Sequence, residues 1–424
     1  MKTIASIAVL VVVGSSVSCQ AASAERVGGK VFSIRAAGAK GDGKTLDTSA
    51  IQKALDDCGE AGGGTVLFPP GIYLCQPIEI RTKTTLQLDK GATLLATDKR
   101  ADYERQDKPN AFRPFLSGED LEDVTIAGQG VIDGAGAAWW GAAEDARRKK
   151  PGYTLPRPNL IVLTRVTNLV VRDVTIQNSP KFHLVPTDCD GVTISGVTIL
   201  APEGAANTDA IDPSMCRRVM ITKCLIDVGD DNIAIKAGKK AKGREFACED
   251  ITVTDCTFKH GHGMSIGSET VGGVRNVHVK NCTFADTDNG LRIKSDRTRG
   301  GRVENIVYEN ITMTNVRGAI WIAGYYPKVP AEDKTEPVTE TTPKYANIVI
   351  RNVRATSTQD AGVIAGLPES RIENVRLENV SIVAAKRGLE IRNADGVVAT
   401  GLEVAAKSGS PFIVRDAKVT GIAQ

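Results

Sequence analysis

Aromatic residues make up only 4% of this 424-residue chain, histidine occurs four times, and the formal net charge is only +3. So even a charge balance gives a whole-chain field too weak to point to nucleic acid as a partner. Any polyanionic ligand must therefore be gripped by a local cluster of cations. Beyond the first residues no stretch is apolar for long enough to span a bilayer, so no membrane span is expected. Cysteines at 58, 75, 189, 216, 224, 248, 256 and 282 show none of the short paired spacings of a zinc site. Glycine is plentiful at 42 residues, and the length allows either one large core or two ordinary domains.

The first residues read as an export signal rather than as fold. Lys2 supplies a short positive start, Ile4 to Gly14 is apolar, and Ala22-Ser-Ala24 offers small residues for cleavage before Glu25. Residues 1–24 are thus expected to be a signal peptide and 25–424 a single domain, exported to the periplasm or the extracellular space. Lipid anchoring at Cys19 is the second reading, and Ser16-Val-Ser18 in front of it matches a lipoprotein box poorly.

From about residue 120 one phrase recurs. It reads Asn168-Leu-Val-Val-Arg-Asp-Val-Thr-Ile176, then Gly191-Val-Thr-Ile-Ser-Gly-Val-Thr-Ile199, Arg218 to Ile226 and Asp250 to Phe258, with further copies from Asn276, Asn305, Asn347, Asn374 and Gly396. Repeats of this length mark a solenoid, and alternation of β-branched and polar residues marks strands. A second apolar pair follows in each copy: Ile233/Ile235, Met264/Ile266, Leu291/Ile293, Ile320/Ile322 and Leu389/Ile391. Two strands per coil are expected, stacked into an all-β, right-handed parallel β-helix in which each coil is stabilised by its neighbours. A helix from Thr48 to Cys58, capped by Asp47 or Thr48, would cover the N-terminal end with Ile51, Ala54, Leu55 and Cys58, and Thr65–Phe68 would be the first strand. Gly141 to Pro156 and Pro327 to Tyr345 read as rim loops. Cys224, Cys256 and Cys282 occupy repeat positions otherwise held by Val or Leu and read as buried thiols; disulfides elsewhere stay open.

Residues at matched offsets on successive coils lie about 4.8 Å apart however distant they are in sequence. Asp230 lies eleven residues after Val219 and His262 eleven after Ile251, while Asp231-Asn-Ile-Ala-Ile235 aligns with Asp209-Ala-Ile-Asp212. Arg292 and Lys294 flank the inward Ile293 on the next coil. Carboxylates, a histidine and two cations therefore converge on one face.

Asn207-Thr-Asp209, Gly229-Asp-Asp231, Gly261-His-Gly263 and Arg292-Ile-Lys294 stand in the order and spacing of glycoside hydrolase family 28, the polygalacturonases. Gly38-Ala-Lys-Gly-Asp-Gly43 and Val131-Ile-Asp-Gly134 extend the resemblance over nearly the whole mature chain. One departure is Gly229, where the family usually has Gln or Asn. The resemblance implies a parallel β-helix and inverting hydrolysis of α-1,4 bonds in polygalacturonate, pectin or oligogalacturonides, with exo-action favoured by the two long insertions. It makes Asp230 the general acid, Asp209 and Asp231 the pair that holds the attacking water, and His262 the residue that tunes the acid's proton. Arg292 and Lys294 would hold a galacturonate carboxylate, and Tyr326 aligns with a subsite tyrosine. No cofactor or metal is implied. The partner is a pectic polysaccharide or oligogalacturonide, and a monomer is expected.

Other readings exist for the same residues. Asp pairs commonly cap turns in β solenoids, and Asn207 fits a structural turn as well as a sugar contact. Glycines 261 and 263 would leave room for a ligand beside His262, while His183, His260 and His278 read as structural. Arg292 and Lys294 fit a surface ion pair with Asp288 or Asp296 as well. Trp139-Trp140 fits sugar stacking or packing at a loop base, and Arg147–Lys150 a solvated loop. The same fold also serves rhamnogalacturonan or xylogalacturonan hydrolases of the family, Ca²⁺-dependent pectate lyases and non-catalytic carbohydrate-binding solenoids.

Overall fold

The computed structural model describes residues 29–422; the leader, its cleavage site and Cys19 lie outside them. Nearly every rung is a parallel pair, and the strands lie on three faces of a coil rather than two. On the first face Leu169, Val192, Val219, Ile251, Val277, Ile306, Ile348 and Val375 stand in register. On the second the ladder runs Ile132, Ile176, Ile199, Ile226, Phe258, Phe284 and Met313. The third carries Leu184, Ile211, Ile233, Met264, Leu291 and Ile320. All these side chains are buried, each stabilising its coil by roughly 1.5–3 kcal/mol. Successive parallel strands of this kind wind in the right-handed sense.

The repeated phrase holds the corner that divides the first face from the second. In the phrase that begins at Asn168, Arg172 and Asp173 separate inward Val171 from inward Val174, and Asp173 has φ 61°. A left-handed residue turns the chain and resets the alternation, so one phrase supplies two strands, Thr167–Arg172 and Thr175–Gln177. Asn tolerates this conformation with little strain. The Asn residues that open later phrases also hold each other across coils: Asn305 donates to Asn276, Asn347 to Asn305 and Asn374 to Asn347, each at 3.2 Å.

Helix α1 (Thr48–Glu60) buries the expected face, Ile51, Ala54, Leu55 and Cys58. Its cap differs from expectation. The Asp47 carboxylate accepts from the amides of Lys40 at 2.6 Å and Gly41 at 2.9 Å, and Thr48 Oγ1 accepts from the Gln76 amide at 2.9 Å, so both tie the helix to its surroundings instead of capping it. Two strands, Val31–Ser33 and Asp42–Leu46, precede it, so Thr65–Phe68 lies in the third strand. The expected rim loop from Gly141 is largely a second helix, α2 (Ala137–Lys149), anchored by Trp139 edge-on to Tyr103 and Phe112. Trp140 donates from its indole to the Ser179 carbonyl at 3.0 Å, so the pair packs α2 onto the coil rather than presenting a stacking surface. The eight described cysteines are all buried and free.

Candidate active site

The third face ends in turns that carry the chemistry. Its register sets Ile211 beside Ile233 and Ile233 beside Met264, which places Asp209, Asp231 and His262 at matched positions on three successive coils. His262 is therefore level with Asp231, one residue away from the alignment with Asp230 that counting from the first face predicts. The Asp231 turn differs in length from the His262 turn, and only the third-face ladder absorbs that difference. His262 Nδ1 nevertheless lies 3.0 Å from Asp230 Oδ1 and 3.8 Å from Asp231 Oδ1.

The three carboxylates have different surroundings. Asp230 Oδ2 accepts from the Asn207 amide at 3.2 Å, and its Oδ1 from the Asp231 amide at 2.9 Å. Asp231 is locked: Lys294 Nζ donates to Oδ2 at 2.6 Å, while Arg292 at 3.2 Å and Ser265 Oγ at 2.8 Å donate to Oδ1. Asp209 pairs with Lys236 at 3.1 Å, and the same ammonium reaches Asp212 at 2.7 Å. The cations that sequence places here thus pair with neither Asp288 nor Asp296. Asp288 approaches the other edge of His262, at 3.4 Å from Nε2. The Tyr326 ring lies 5.8 Å from the Arg292 guanidinium carbon and 5.4 Å from Lys294 Nζ.

These surroundings set the charges apart. Burial pushes Asp209 well above the ordinary carboxylate value; Lys236 opposes this, and the charges of Asp212, Asp230 and Asp231 add to it. Burial also acts upward on Asp230, but the hydrogen bond and charge of His262 more than offset it, so that carboxyl lies below its usual range. Asp231 too is pulled down against burial, by Lys294, Arg292 and His262. His262 itself is raised above 6.5, because Asp230 and Asp231 outweigh its desolvation. The site thus holds one carboxyl that tends to keep a proton and one imidazole–carboxylate pair that shares another.

Two glycines owe their place to backbone crowding. A Cβ on Gly229 would lie 2.4 Å from the Ala205 carbonyl oxygen, which is why the amide side chain usual at this position is missing from a chain with this 202–205 turn. A Cβ on Gly263 would lie 2.0 Å from the Asn289 carbonyl oxygen, so this glycine admits the neighbouring coil rather than a ligand. Asn207 sits at φ 58° and accepts from Arg157 at 2.8 Å through Oδ1, the structural turn of the two readings, while its amide holds Asp230.

Sequence reasoning missed Lys236, Ser265 and Arg157, and it set Asp288 against the cations rather than against His262. Lys236 had a signal, since it lies five residues beyond Asp231 just as Ser214 lies five beyond Asp209, and the two face each other in a bridge. Arg157 had none, because it reaches the site from an irregular segment. His183 Nδ1 lies 3.1 Å from the Asp209 carbonyl oxygen, and His260 and His278 meet Asp227 and Glu309 at 3.0 and 3.3 Å, so all three have packing partners.

Ligating atoms of Asp230, Asp231 and His262 lie within 4.8 Å of one another, close enough to hold a cation. Both Asp231 oxygens are already engaged by Lys294, Arg292 and Ser265, so a hard cation would have to displace an ammonium from a buried pair.

A family model described as Glycosyl hydrolases family 28 matches residues 58–402. An endo-polygalacturonase of Pectobacterium carotovorum subsp. carotovorum is 34% identical over 364 residues, spanning 81% of this chain and 86% of its own. The solved polygalacturonase from Erwinia carotovora ssp. carotovora superposes with a TM-score of 0.69 at 31% identity, covering 89% of this chain and 94% of that one. An exopolygalacturonase from Thermotoga maritima superposes with a TM-score of 0.65 at 25% identity, covering 91% of both chains.

Proposed function

The chain belongs to glycosyl hydrolase family 28, and we propose that it hydrolyses α-1,4 bonds of polygalacturonate or oligogalacturonides with inversion at the anomeric carbon. The observation that carries the substrate is the buried pairing of Arg292 and Lys294 with Asp231, under Tyr326 and next to Asp230. Two cations share the single Asp231 carboxylate, so positive charge is left over beside the acids, which suits a substrate that brings its own carboxylate.

In this reading the proton of the His262–Asp230 pair rests mainly on the imidazole, 3.0 Å away, and reaches the leaving oxygen through Asp230. Asp209 takes the proton of the attacking water in its carboxylate form, which the ion pair with Lys236 at 3.1 Å favours against burial. Asp231, fixed as an anion by Lys294, helps to hold that water and balances the charge that builds at the sugar ring. Asn207 is a positioning residue through its amide. Export to the periplasm or extracellular space accords with a polymeric substrate and with the apolar N-terminal run.

The test is incubation with polygalacturonate, with and without excess chelator, following products over time. Saturated oligomers released at equal rates in both are expected, and monomer from the outset would identify exo-action. Unsaturated products that vanish with chelator would establish a lyase instead.

A further inference from the structure

One coil ahead of Asp209, the third face carries a cation that none of the roles above employs. The ladder sets Leu184 beside Ile211, so Phe182 is level with Asp209, and Lys181 precedes it at the cleft end of that coil. Lys181 is half-buried, and its ammonium lies 4.4 Å from the Phe182 ring centroid. Lys236 lies over the same ring at 4.2 Å while it pairs with Asp209 and Asp212. Lys181 forms no ion pair within 4.0 Å among the described residues, so its charge is left for something outside the protein. Its surroundings disfavour leaving that charge without an anion: burial lowers its proton affinity, and nearby Lys236 and Arg157 add repulsion that Asp209 and Asp212 only partly oppose.

Lys181 and the pair Arg292/Lys294 lie on opposite sides of the carboxylates along the helix axis, since the coil order runs Lys181, Asp209, Asp231, His262, Arg292. We infer that Lys181 is a specificity-determining residue that binds the carboxylate of the sugar unit on the side of the scissile bond away from Arg292 and Lys294. The inference rests on the proposed polygalacturonate hydrolysis and deepens it. With a cation on each flank, the cleft is complementary to a backbone whose adjacent units are both acidic. A backbone in which acidic and neutral sugars alternate satisfies only one flank and leaves the other cation desolvated without a partner.

The test compares kcat/KM for trigalacturonate among wild type, Lys181→Arg, Lys181→Met and Lys181→Glu, with thermal melting of each as the folding control. A charge-assisted contact of ordinary strength predicts a loss of about 10- to 100-fold in Lys181→Met. A larger loss is expected in Lys181→Glu and at most a few-fold loss in Lys181→Arg. The wild-type preference for trigalacturonate over an alternating rhamnose–galacturonate oligomer should shrink by the same factor in Lys181→Met. Rates within about twofold of wild type in both Lys181→Met and Lys181→Glu, with substrate preference unchanged, would overturn the inference while leaving the hydrolase reading intact. An equal loss in all three variants would also overturn it, by making Lys181 a packing residue for Phe182. Failure of the wild type to cut trigalacturonate or polygalacturonate would instead refute the function on which the inference stands.

Discussion

Asp230→Asn should lower kcat on polygalacturonate by about 10²- to 10⁴-fold, the span a positioned general acid contributes, with little change in folding stability. Asn keeps the acceptor for the Asn207 amide at 3.2 Å and much of the local packing, so the loss should fall on kcat rather than on KM. An aryl galacturonide whose leaving group needs no proton should lose far less, and steady-state kinetics on the two substrates check both statements. The pH profile gives a second readout. His262 is raised above 6.5 by Asp230 and Asp231, so the pair keeps its proton below that raised value and loses it as pH rises through it. The alkaline limb of wild-type kcat should therefore lie above 6.5, and it should flatten when Asp230 no longer carries the proton.

Lys294→Met should destabilise the fold by about 3–5 kcal/mol near neutral pH and remove activity as well. Lys294 Nζ is 2.6 Å from Asp231, and both side chains are almost fully buried, at 5% and 3% exposure, so the substitution takes the nearer cation from a buried anion and leaves its Oδ2 without that donor. The sign with pH follows from the depressed Asp231. A carboxyl held below its unfolded value stabilises the fold at pH above that unfolded value, 3.8, and loses the contribution as pH falls through its folded value. The deficit of Lys294→Met should thus be largest above about pH 4 and shrink in acid, where a protonated Asp231 needs no partner. Adding Asp231→Asn should recover most of the stability and none of the activity. Denaturant unfolding of the wild type and the two variants across pH measures this, and a deficit independent of pH would show that the loss is one of packing.

The periodic apolar residues made the solenoid and its core legible, because a coil that cannot bury its own face must alternate in step with its neighbours. The corner inside each phrase was not legible. Asp173 and Lys223 sit in the left-handed region at φ 61° and 55°, and their only mark in the sequence is a doubled polar pair, Arg172-Asp173 and Thr222-Lys223, which does not by itself separate a corner from a bulge within one strand. The first strands were hidden for a related reason. Asp42–Leu46 is held by pairing with Gly71–Cys75 and carries no apolar rhythm of its own. At the site, the order of the motifs gathered Asp209, Asp230, Asp231, His262, Arg292 and Lys294, and they do converge. What the order could not give was the pairing. Whether Arg292 meets Asp231, Asp288 or Asp296 depends on side-chain reach across coils, and the burial of Asp231 selects it. Arg157, which enters from irregular chain to hold Asn207 at 2.8 Å, was beyond any periodic argument.

In the proposed reaction Asp230 and a water held by Asp209 act from opposite faces of the sugar. Proton NMR of the first product formed from polygalacturonate, recorded before mutarotation, tests it most directly. Hydrolysis by this route predicts that the new reducing end appears first as the β-anomer and drifts to the α/β equilibrium with time. Initial release of the α-anomer would contradict it, and would require one of the carboxylates to attack the sugar itself.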